Sequence, residues 1–219
     1  MNAPTEPPFR LGVLPVTPLQ QNCSILVCAR TGRAAVVDPG GDVEDIVRGI
    51  GEMKAQPEAI WLTHGHFDHV GGAAELAERY GIPVIGPHRA DDWLLAEVEE
   101  QGRLFGVPGG RNVTPDRWLE EGDSVSFGEV AFAVRHCPGH TPGHVLFIQE
   151  EARLGLFGDV LFRGAIGRTD FPRSDHDALL RGIREKILTL PDDLAFVPGH
   201  GPMSTVGEER RTNPFLQGL

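Results

Sequence analysis

The stretch Thr63–His69, THGHFDH, is the feature that most constrains this chain, because it packs three imidazoles and a carboxylate into one turn of polypeptide. An apolar run before it predicts a buried strand, and alanines at helical spacing after it predict a helix. His64 and His66 are two residues apart in an extended segment and can therefore point the same way. Asp68 and His69 open the helix, whose positive end favours a carboxylate. One loop can thus supply ligands to two neighbouring metal ions.

These four side chains suit a borderline cation such as zinc, which takes imidazole nitrogen and carboxylate oxygen at about 2.0 to 2.2 Å. A single histidine would ordinarily be interpreted as a loop residue that binds no metal. Four such groups crowded into one turn have no packing purpose. The loop therefore predicts metal binding.

Composition and charge exclude several classes of partner. The 219 residues, 40% hydrophobic and 23% charged, suit one globular domain with a sizeable core, and we expect a single domain over residues 1–219. The formal net charge of -11 disfavours nucleic acid and anionic membrane surfaces as partners. Small molecules are the expected partners.

The cysteines indicate a reducing compartment. Cys23, Cys28 and Cys137 are odd in number and lack the spacing of a disulfide framework or a CxxC site. Residues 1–10 contain three prolines and no apolar core segment, so no signal peptide is expected, and no run approaches transmembrane length. A cytoplasmic protein is expected.

Short apolar runs separated by turn residues predict two strand-rich halves with helices between them. The expected strands of the first half, opening with an antiparallel meander, are 11–16, 23–28, 34–37, 59–62 and 83–85. Those of the second half are 124–127, 130–135, 145–149, 154–157 and 194–197. The expected helices are 43–54 with Asp42 as its cap, 70–80, 90–101 and 177–189. This order predicts an α/β (α+β) fold in which two packed sheets carry helices on their outer faces.

Three further ligand candidates share one local context. Each of His140, Asp159 and His200 follows directly on a predicted strand, in a turn that contains glycine. Such strand ends can meet at one edge of the two sheets. These residues are therefore candidates to complete a site with the histidine loop.

With these residues in place, the chain resembles the metallo-β-lactamase superfamily and, within it, the glyoxalase II-like thioester hydrolases of the short, single-domain bacterial branch. The resemblance runs nearly end to end. The matching segments are DPGG at 38–41, THGHFDH at 63–69, the turn at His140, GD at 158–159, GRTDF at 167–171 and PGHGP at 198–202. It implies the αββα sandwich of that family, with two mixed sheets and helices outside.

The resemblance also implies two metal sites that share one carboxylate. The implied ligands are His64, His66 and His140 for one metal, Asp68, His69 and His200 for the second, and Asp159 as the bridge. Zinc is the expected metal, with iron or manganese as alternatives. Asp38 either starts the next helix or, as in the family, hydrogen-bonds a ligand histidine. The remaining histidines are expected to be structural or exposed, and they are His88, His136, His144 and His176. His144 is expected to form a hydrogen bond within its own turn.

The implied ligand set indicates hydrolysis. Two divalent ions would lower the pKa of a bridging water toward about 7 and so provide hydroxide at neutral pH. Attack on a thioester carbonyl gives an oxyanion that a metal can stabilise, and a thiolate is a good leaving group. Asp68, beside the water, is the expected catalytic residue that orients it or carries its proton. The expected reaction is hydrolysis of S-lactoylglutathione or a related acyl thioester.

The substrate end departs from full-length glyoxalase II, whose additional helical domain grips glutathione; no such domain is expected here. Gln217 stands where the longer enzymes have an arginine, and the only tyrosine is Tyr80. The resemblance implies Arg168 as the remaining cationic contact for an anionic thioester. The alternative for Arg168 is a surface residue paired with Asp170 or Asp175.

Other functions remain as alternatives. Persulfide dioxygenases share THxHxDH and the GRTDF segment but use one iron and molecular oxygen, so metal content and oxygen uptake distinguish them. β-Lactamases lack the carboxylate of Asp159, flavodiiron proteins have glutamate in place of His66, and transfer-RNA nucleases are disfavoured by the acidic charge. A non-catalytic, metal-stabilised binding module is disfavoured because structural zinc sites are closed four-ligand sets, whereas seven ligands on two metals leave room for water.

Overall fold

The computed structural model describes residues 7–219, and its strands form two large sheets and a small hairpin. The first sheet contains, in spatial order, Phe9–Val16 (β1), Gln21–Cys28 (β2), Arg33–Val37 (β3), Gln56–Trp61 (β4) and Val84–Ile85 (β5). The second contains Ser204–Thr205 (β13), Ala195–Pro198 (β12), Leu154–Gly158 (β9), Val145–Gln149 (β8), Val130–His136 (β7) and Ser124–Phe127 (β6). Leu161–Phe162 (β10) and Ala165–Ile166 (β11) form the hairpin.

Both large sheets are mixed, as the family resemblance implied. The expected antiparallel meander of β1, β2 and β3 is confirmed, while β3, β4 and β5 run parallel. In the second sheet, β6 to β9 are antiparallel neighbours and β12 pairs with β9 in parallel. Residues 1–6 lie outside the described residues. They belong to the segment 1–10, in which no signal peptide is expected.

The helices lie between and after the strands. They are Val43–Glu52 (α1), Phe67–Val70 (α2), Ala73–Tyr80 (α3), Asp92–Leu95 (α4), Val98–Leu104 (α5), His176–Gly182 (α6) and Val206–Thr212 (α7). Short 3₁₀ turns lie at Arg89–Asp91 and Pro214–Leu216, and a π-helical segment, Ile183–Ile187, continues α6. Within residues 7–219, no helix has the length and apolar character that crossing a membrane requires.

The single helix predicted for 70–80 is wrong in its first part, because the chain breaks between α2 and α3 at Gly71 and Gly72. A Cβ on Gly71 would lie 2.5 Å from the carbonyl oxygen of Gly40, and one on Gly72 would lie 2.9 Å from that of Pro39. The DPGG segment therefore packs directly against this break. The histidine loop and the segment after β3 are held together by backbone contact.

Asp42 occupies the predicted cap position of α1 but caps the helix only through its backbone carbonyl. Asp42 adopts a left-handed conformation (φ 48°), and its side chain makes no capping bond to α1. Its carboxylate instead accepts a hydrogen bond from the backbone N–H of Thr17 (2.7 Å). Asp42 thus ties the start of α1 to the turn after β1.

Three apolar layers hold the fold together. Between the sheets, Trp61 packs against the rings of Phe127, Phe132 and Phe147 with centroids 5.2–5.7 Å apart. A second cluster joins the first sheet to α1, α2 and α3, and a third joins the second sheet to α6 and α7. Two sheets face to face with helices outside form the αββα sandwich, which confirms the predicted fold class.

Candidate metal centre

The predicted ligands come together at one edge of the two sheets. They follow strand ends, with His64 after β4, His140 after β7, Asp159 after β9 and His200 after β12. The sheets are joined at this edge, where the backbone N–H of Asn22 in β2 donates to the carbonyl of Gly199 (2.7 Å). The topology therefore brings residues that are far apart in the chain into one centre.

His64, His66 and His140 form a first group, whose ring nitrogens converge. His66 Nδ1 lies 3.1 Å from His64 Nε2 and 3.0 Å from His140 Nε2. Three nitrogens at 2.0–2.1 Å around one tetrahedral ion would stand about 3.3 Å apart. The spacing of this group is therefore close to that of three ligands to one metal.

Asp68, His69 and His200 form a second group, and Asp159 lies between the two. His200 Nε2 is 3.1 Å from Asp68 Oδ2, and His69 Nε2 is 3.9 Å from the same oxygen. Asp159 Oδ1 lies 3.3 Å from His69 Nε2, while its Oδ2 lies 3.5 Å from the Nε2 of His140. One carboxylate thus faces an imidazole of each group, as a bridging ligand would.

Two buried atoms of this centre have no hydrogen-bond partner within residues 7–219, namely His69 Nε2 and Asp159 Oδ1. Leaving a buried polar atom unpaired costs about 1–3 kcal/mol. A cation beside both atoms would satisfy them. This observation, with a donor set of imidazoles and carboxylates, fits divalent ions such as zinc.

The imidazoles of the first group are held neutral. Burial and the neighbouring imidazoles lower the pKa of His64 well below its usual value. Burial, followed by the charge of His140, lowers the pKa of His66 to about 3. Burial likewise lowers the pKa of His140, although Asp159 opposes it. These nitrogens are therefore available as ligands without loss of a proton.

The second group is dominated by its carboxylates. Burial lowers the pKa of His69, but Asp159 and Asp68 outweigh it and hold that pKa well above the usual value. Burial raises the pKa of Asp159, yet His69 and His140 hold it well below the usual range. Burial also lowers the pKa of His200, but Asp68 and Asp159 outweigh it and raise that pKa above its usual value. A metal that binds this group therefore competes with protons for its histidines.

Asp38, predicted as the hydrogen-bond partner of a ligand histidine, contacts His69 on the side away from the cleft. Its Oδ2 accepts a bond from His69 Nδ1 (2.9 Å), which leaves Nε2 directed at Asp159. Asp38 also accepts from the hydroxyl of Thr63 (2.6 Å), and that hydroxyl lies 3.0 Å from His64 Nδ1. Asp38, His64 and His69 are close enough to surround an ion, but these hydrogen bonds already engage Asp38. Asp38 thus contacts the ring of His69 directly and that of His64 through Thr63, and its role in orienting metal ligands stays a prediction.

Two buried residues contact the centre in ways that the sequence analysis missed. His144 accepts a bond at Nε2 from the backbone N–H of Asp159 (3.0 Å) instead of bonding within its own turn. Asp91 is fully buried and bonds to the loops that carry His64 and His140. Burial raises the pKa of Asp91 to about 6, so its carboxylate is ionised at neutral pH. No local pattern distinguishes Asp91, since it lies inside the segment 90–101, which is predicted to be a helix.

A cleft of about 600 Å³ opens onto the centre. Most of its wall is apolar, from Leu19, Phe67, Trp93, Leu94, Phe105, Phe162, Ile166, Phe171 and Pro172. Apart from the predicted ligands, the polar lining residues are Glu97, Gln101 and Arg168. A cleft of this size and character suits a small organic molecule.

Arg168, predicted to bind an anionic substrate, lies in this wall. Its carbonyl oxygen accepts a bond from His140 Nδ1 (2.8 Å). Its guanidinium donates to both carboxylate oxygens of Asp170 (3.0 and 2.8 Å) and lies over the ring of Phe171. The backbone of Arg168 thus orients His140, and contact of its side chain with substrate stays a prediction.

Comparison with known proteins shows what this arrangement is similar to. The sequence profile of the metallo-beta-lactamase superfamily matches residues 16–200. Hydroxyacylglutathione hydrolase GloC of Haemophilus influenzae is 44% identical over 209 residues, which cover 95% of this chain and 98% of that protein. The crystal structure of the BLEG-1 B3 metallo-beta-lactamase is 36% identical, with a TM-score of 0.88 over 95% of this chain and 100% of that one. The crystal structure of TTHA1623 in a di-iron-bound form is 39% identical, with a TM-score of 0.86 over 94% and 100%.

Proposed function

Because this chain belongs to the metallo-β-lactamase superfamily, we propose that it is a metal-dependent hydrolase of acyl thioesters, with S-lactoylglutathione or a related thioester as substrate. The 44% identity to a hydroxyacylglutathione hydrolase supports the choice of a thioester. The observation that carries the proposal is the position of Asp159 between two ligand groups at the floor of one cleft. Such a pair of sites is suited to hydrolysis.

We propose that His64, His66 and His140 hold one divalent ion, that Asp68, His69 and His200 hold a second, and that Asp159 bridges them. When bound, such ions supply an ionised water at neutral pH and polarise the scissile carbonyl. Asp68 is proposed to orient this water and to accept its proton, since its Oδ2 lies beside His200 at the cleft. The apolar wall excludes bulk water and holds the acyl group.

Metal analysis of purified protein, coupled to thioester hydrolysis, tests the proposal. Two equivalents of zinc, iron or manganese per chain are expected, together with hydrolysis of S-lactoylglutathione that is lost on chelation and restored by metal. Activity should rise with pH as the water ionises. Two bound metals with no turnover of any acyl thioester would contradict the substrate class, and a single iron with oxygen uptake on glutathione persulfide would indicate the dioxygenase instead.

A β-lactam is the second candidate substrate, because the BLEG-1 B3 metallo-beta-lactamase is 36% identical over almost the whole chain. Nitrocefin therefore belongs in the same assay. Cleavage of nitrocefin with a kcat/KM above that of every thioester tested would replace the thioester proposal. Slow or absent nitrocefin cleavage beside rapid thioester hydrolysis is the expected result.

A further inference from the structure

Asp91, at the end of the 3₁₀ turn before α4, is a buried carboxylate that takes three hydrogen bonds at once. Its Oδ2 accepts from the backbone N–H of Gly65 (3.0 Å) and from the hydroxyl of Thr141 (2.7 Å). Its Oδ1 accepts from the backbone N–H of Gly143 (2.6 Å). All three hydrogen bonds that this carboxylate accepts therefore come from two loops.

These two loops are the ones that carry the first ligand group. Gly65 lies between His64 and His66, and Thr141 follows His140 directly. The three ring nitrogens can converge only if the loops keep a constant separation. Asp91 is a charged group that bonds to both loops and contributes no atom to the group itself.

The glycines in these loops allow the carboxylate to come this close. A Cβ on Gly143 would lie 2.6 Å from Asp91 Cγ, and a Cβ on Gly65 would lie 3.3 Å from Asp91 Cβ and 2.7 Å from Leu94 Cβ. Any larger residue at either position would push Asp91 away from the loop. The THGHFDH and HTPGH segments thus each contain a residue that fits Asp91.

We infer that Asp91 is a positioning residue that holds the two loops at the separation at which His64, His66 and His140 bind one metal. The inference rests on the two metal sites of the proposed function and is independent of which substrate is hydrolysed. Loss of such a partner typically weakens metal binding about 10- to 100-fold. A carboxylate is required, because an amide cannot accept from both backbone N–H groups: in either orientation its NH₂ faces one of these donors.

The test places Asp91→Asn in two backgrounds, each of which retains one metal group. In the His200→Ala background only the first group is complete, and in the His140→Ala background only the second is. Zinc affinity is measured in each by competition with a chromophoric chelator. Asp91→Asn should weaken binding about 10- to 100-fold in the first background and leave the second unchanged.

Ile148→Val, a buried substitution in β8, controls for a general loss of stability and should change zinc affinity in neither background. Equal weakening by Asp91→Asn in both backgrounds, or in neither, would overturn the inference while leaving the proposed function intact. A wild-type chain that binds no metal would overturn both.

Thr141→Val provides a second variant if Asp91→Asn does not fold. It removes one of the three bonds and leaves both backbone donors paired with the carboxylate. A smaller weakening, confined to the His200→Ala background, is expected. Unchanged zinc affinity in that background would count against the inference.

Discussion

Asp159 is the residue on which the proposed pair of metals depends most. Its two carboxylate oxygens face His69 and His140, one from each ligand group. Two divalent ions about 3.5–4 Å apart repel each other, and a carboxylate between them offsets that repulsion. A neutral side chain of the same shape would lack this charge.

Asp159→Asn is therefore expected to lose the second metal first, because that group includes His200, which is more exposed than His64 and His140 of the first group. Metal content after dialysis should fall from two equivalents to one, with turnover reduced at least about a hundredfold. Asp193→Asn, an exposed carboxylate beside Arg153, is the matched control and should keep both metals. Two metals and normal turnover in Asp159→Asn would show that this carboxylate is not a bridge.

Arg168 gives a second prediction at this scale. Its pair with Asp170 is exposed on both sides and screened by solvent, so an anionic substrate can replace Asp170 at little cost. Arg168→Ala should raise KM for S-lactoylglutathione about fivefold and flatten the salt dependence of kcat/KM, with metal content intact. Asp170→Asn should have the opposite effect on KM. An equal loss of kcat/KM on charged and uncharged thioesters would show that Arg168 is a surface residue that does not bind the substrate charge.

At the scale of elements, the centre depends on how closely the DPGG segment after β3 approaches α2. Gly40 packs against the backbone of Asp68, and a Cβ at this position would overlap the Asp68 carbonyl oxygen. Asp38 in the same segment bonds to His69 and Thr63. This segment therefore supports the histidine loop through both its backbone and its side chains.

Gly40→Ala is expected to push α2 outward, with a loss of about 1–3 kcal/mol in the free energy of unfolding. Weaker metal binding by Asp68 and His69 should accompany it. Gly51→Ala is the matched control, since Gly51 lies in α1 with open space around it, and alanine there should stabilise by about 0.5–1 kcal/mol. Chemical denaturation with metal titration measures both. A Gly40→Ala protein with unchanged stability would mean that the two segments separate easily.

At the scale of the whole molecule, each of the three apolar layers contains one free cysteine. Cys28 lies between the sheets, Cys23 between the first sheet and its helices, and Cys137 between the second sheet and α6. Burial, with a smaller contribution from Asp38, raises the pKa of Cys23 far above its usual value, and burial raises that of Cys137 to about 12. Burial also raises the pKa of Cys28, but hydrogen bonds, led by that of the Thr31 side chain, bring it to about 7. The thiols can therefore report the opening of each layer separately.

We propose that residues 1–219 form one cooperative domain, and thiol labelling tests this. Variants that retain one cysteine each should all be protected in the folded state, because every thiol is buried. Their opening free energies, obtained from labelling rates, should agree with one another and with the global free energy of unfolding. A much smaller opening free energy for Cys137 than for Cys23 would indicate two units that open independently.

The local patterns of the sequence determined ten of the strands and marked the candidate ligands, but they did not reveal the short strands β10, β11 and β13. The predicted strands 124–127 and 145–149 coincide with β6 and β8, because runs of apolar and β-branched residues are a local signal of a buried strand. The crowding of THGHFDH likewise marks a metal-binding loop without reference to the fold. Only the tertiary structure decided where the helix predicted for 70–80 breaks, since the cause is a loop after another strand.

The tertiary structure alone also revealed Asp91, whose three donors lie 26, 50 and 52 residues away in the chain. Arg168 is similar, because its carbonyl bond to His140 spans 28 residues and leaves no trace in local periodicity. Hydrophobic period, turn residues and ligand spacing act over a few neighbouring positions, so the sequence by itself determined most of the elements and a candidate metal-binding loop. The groups that support each candidate ligand are distant from it in the chain and contact it only after the two sheets pack. The tertiary structure therefore decided which groups these are.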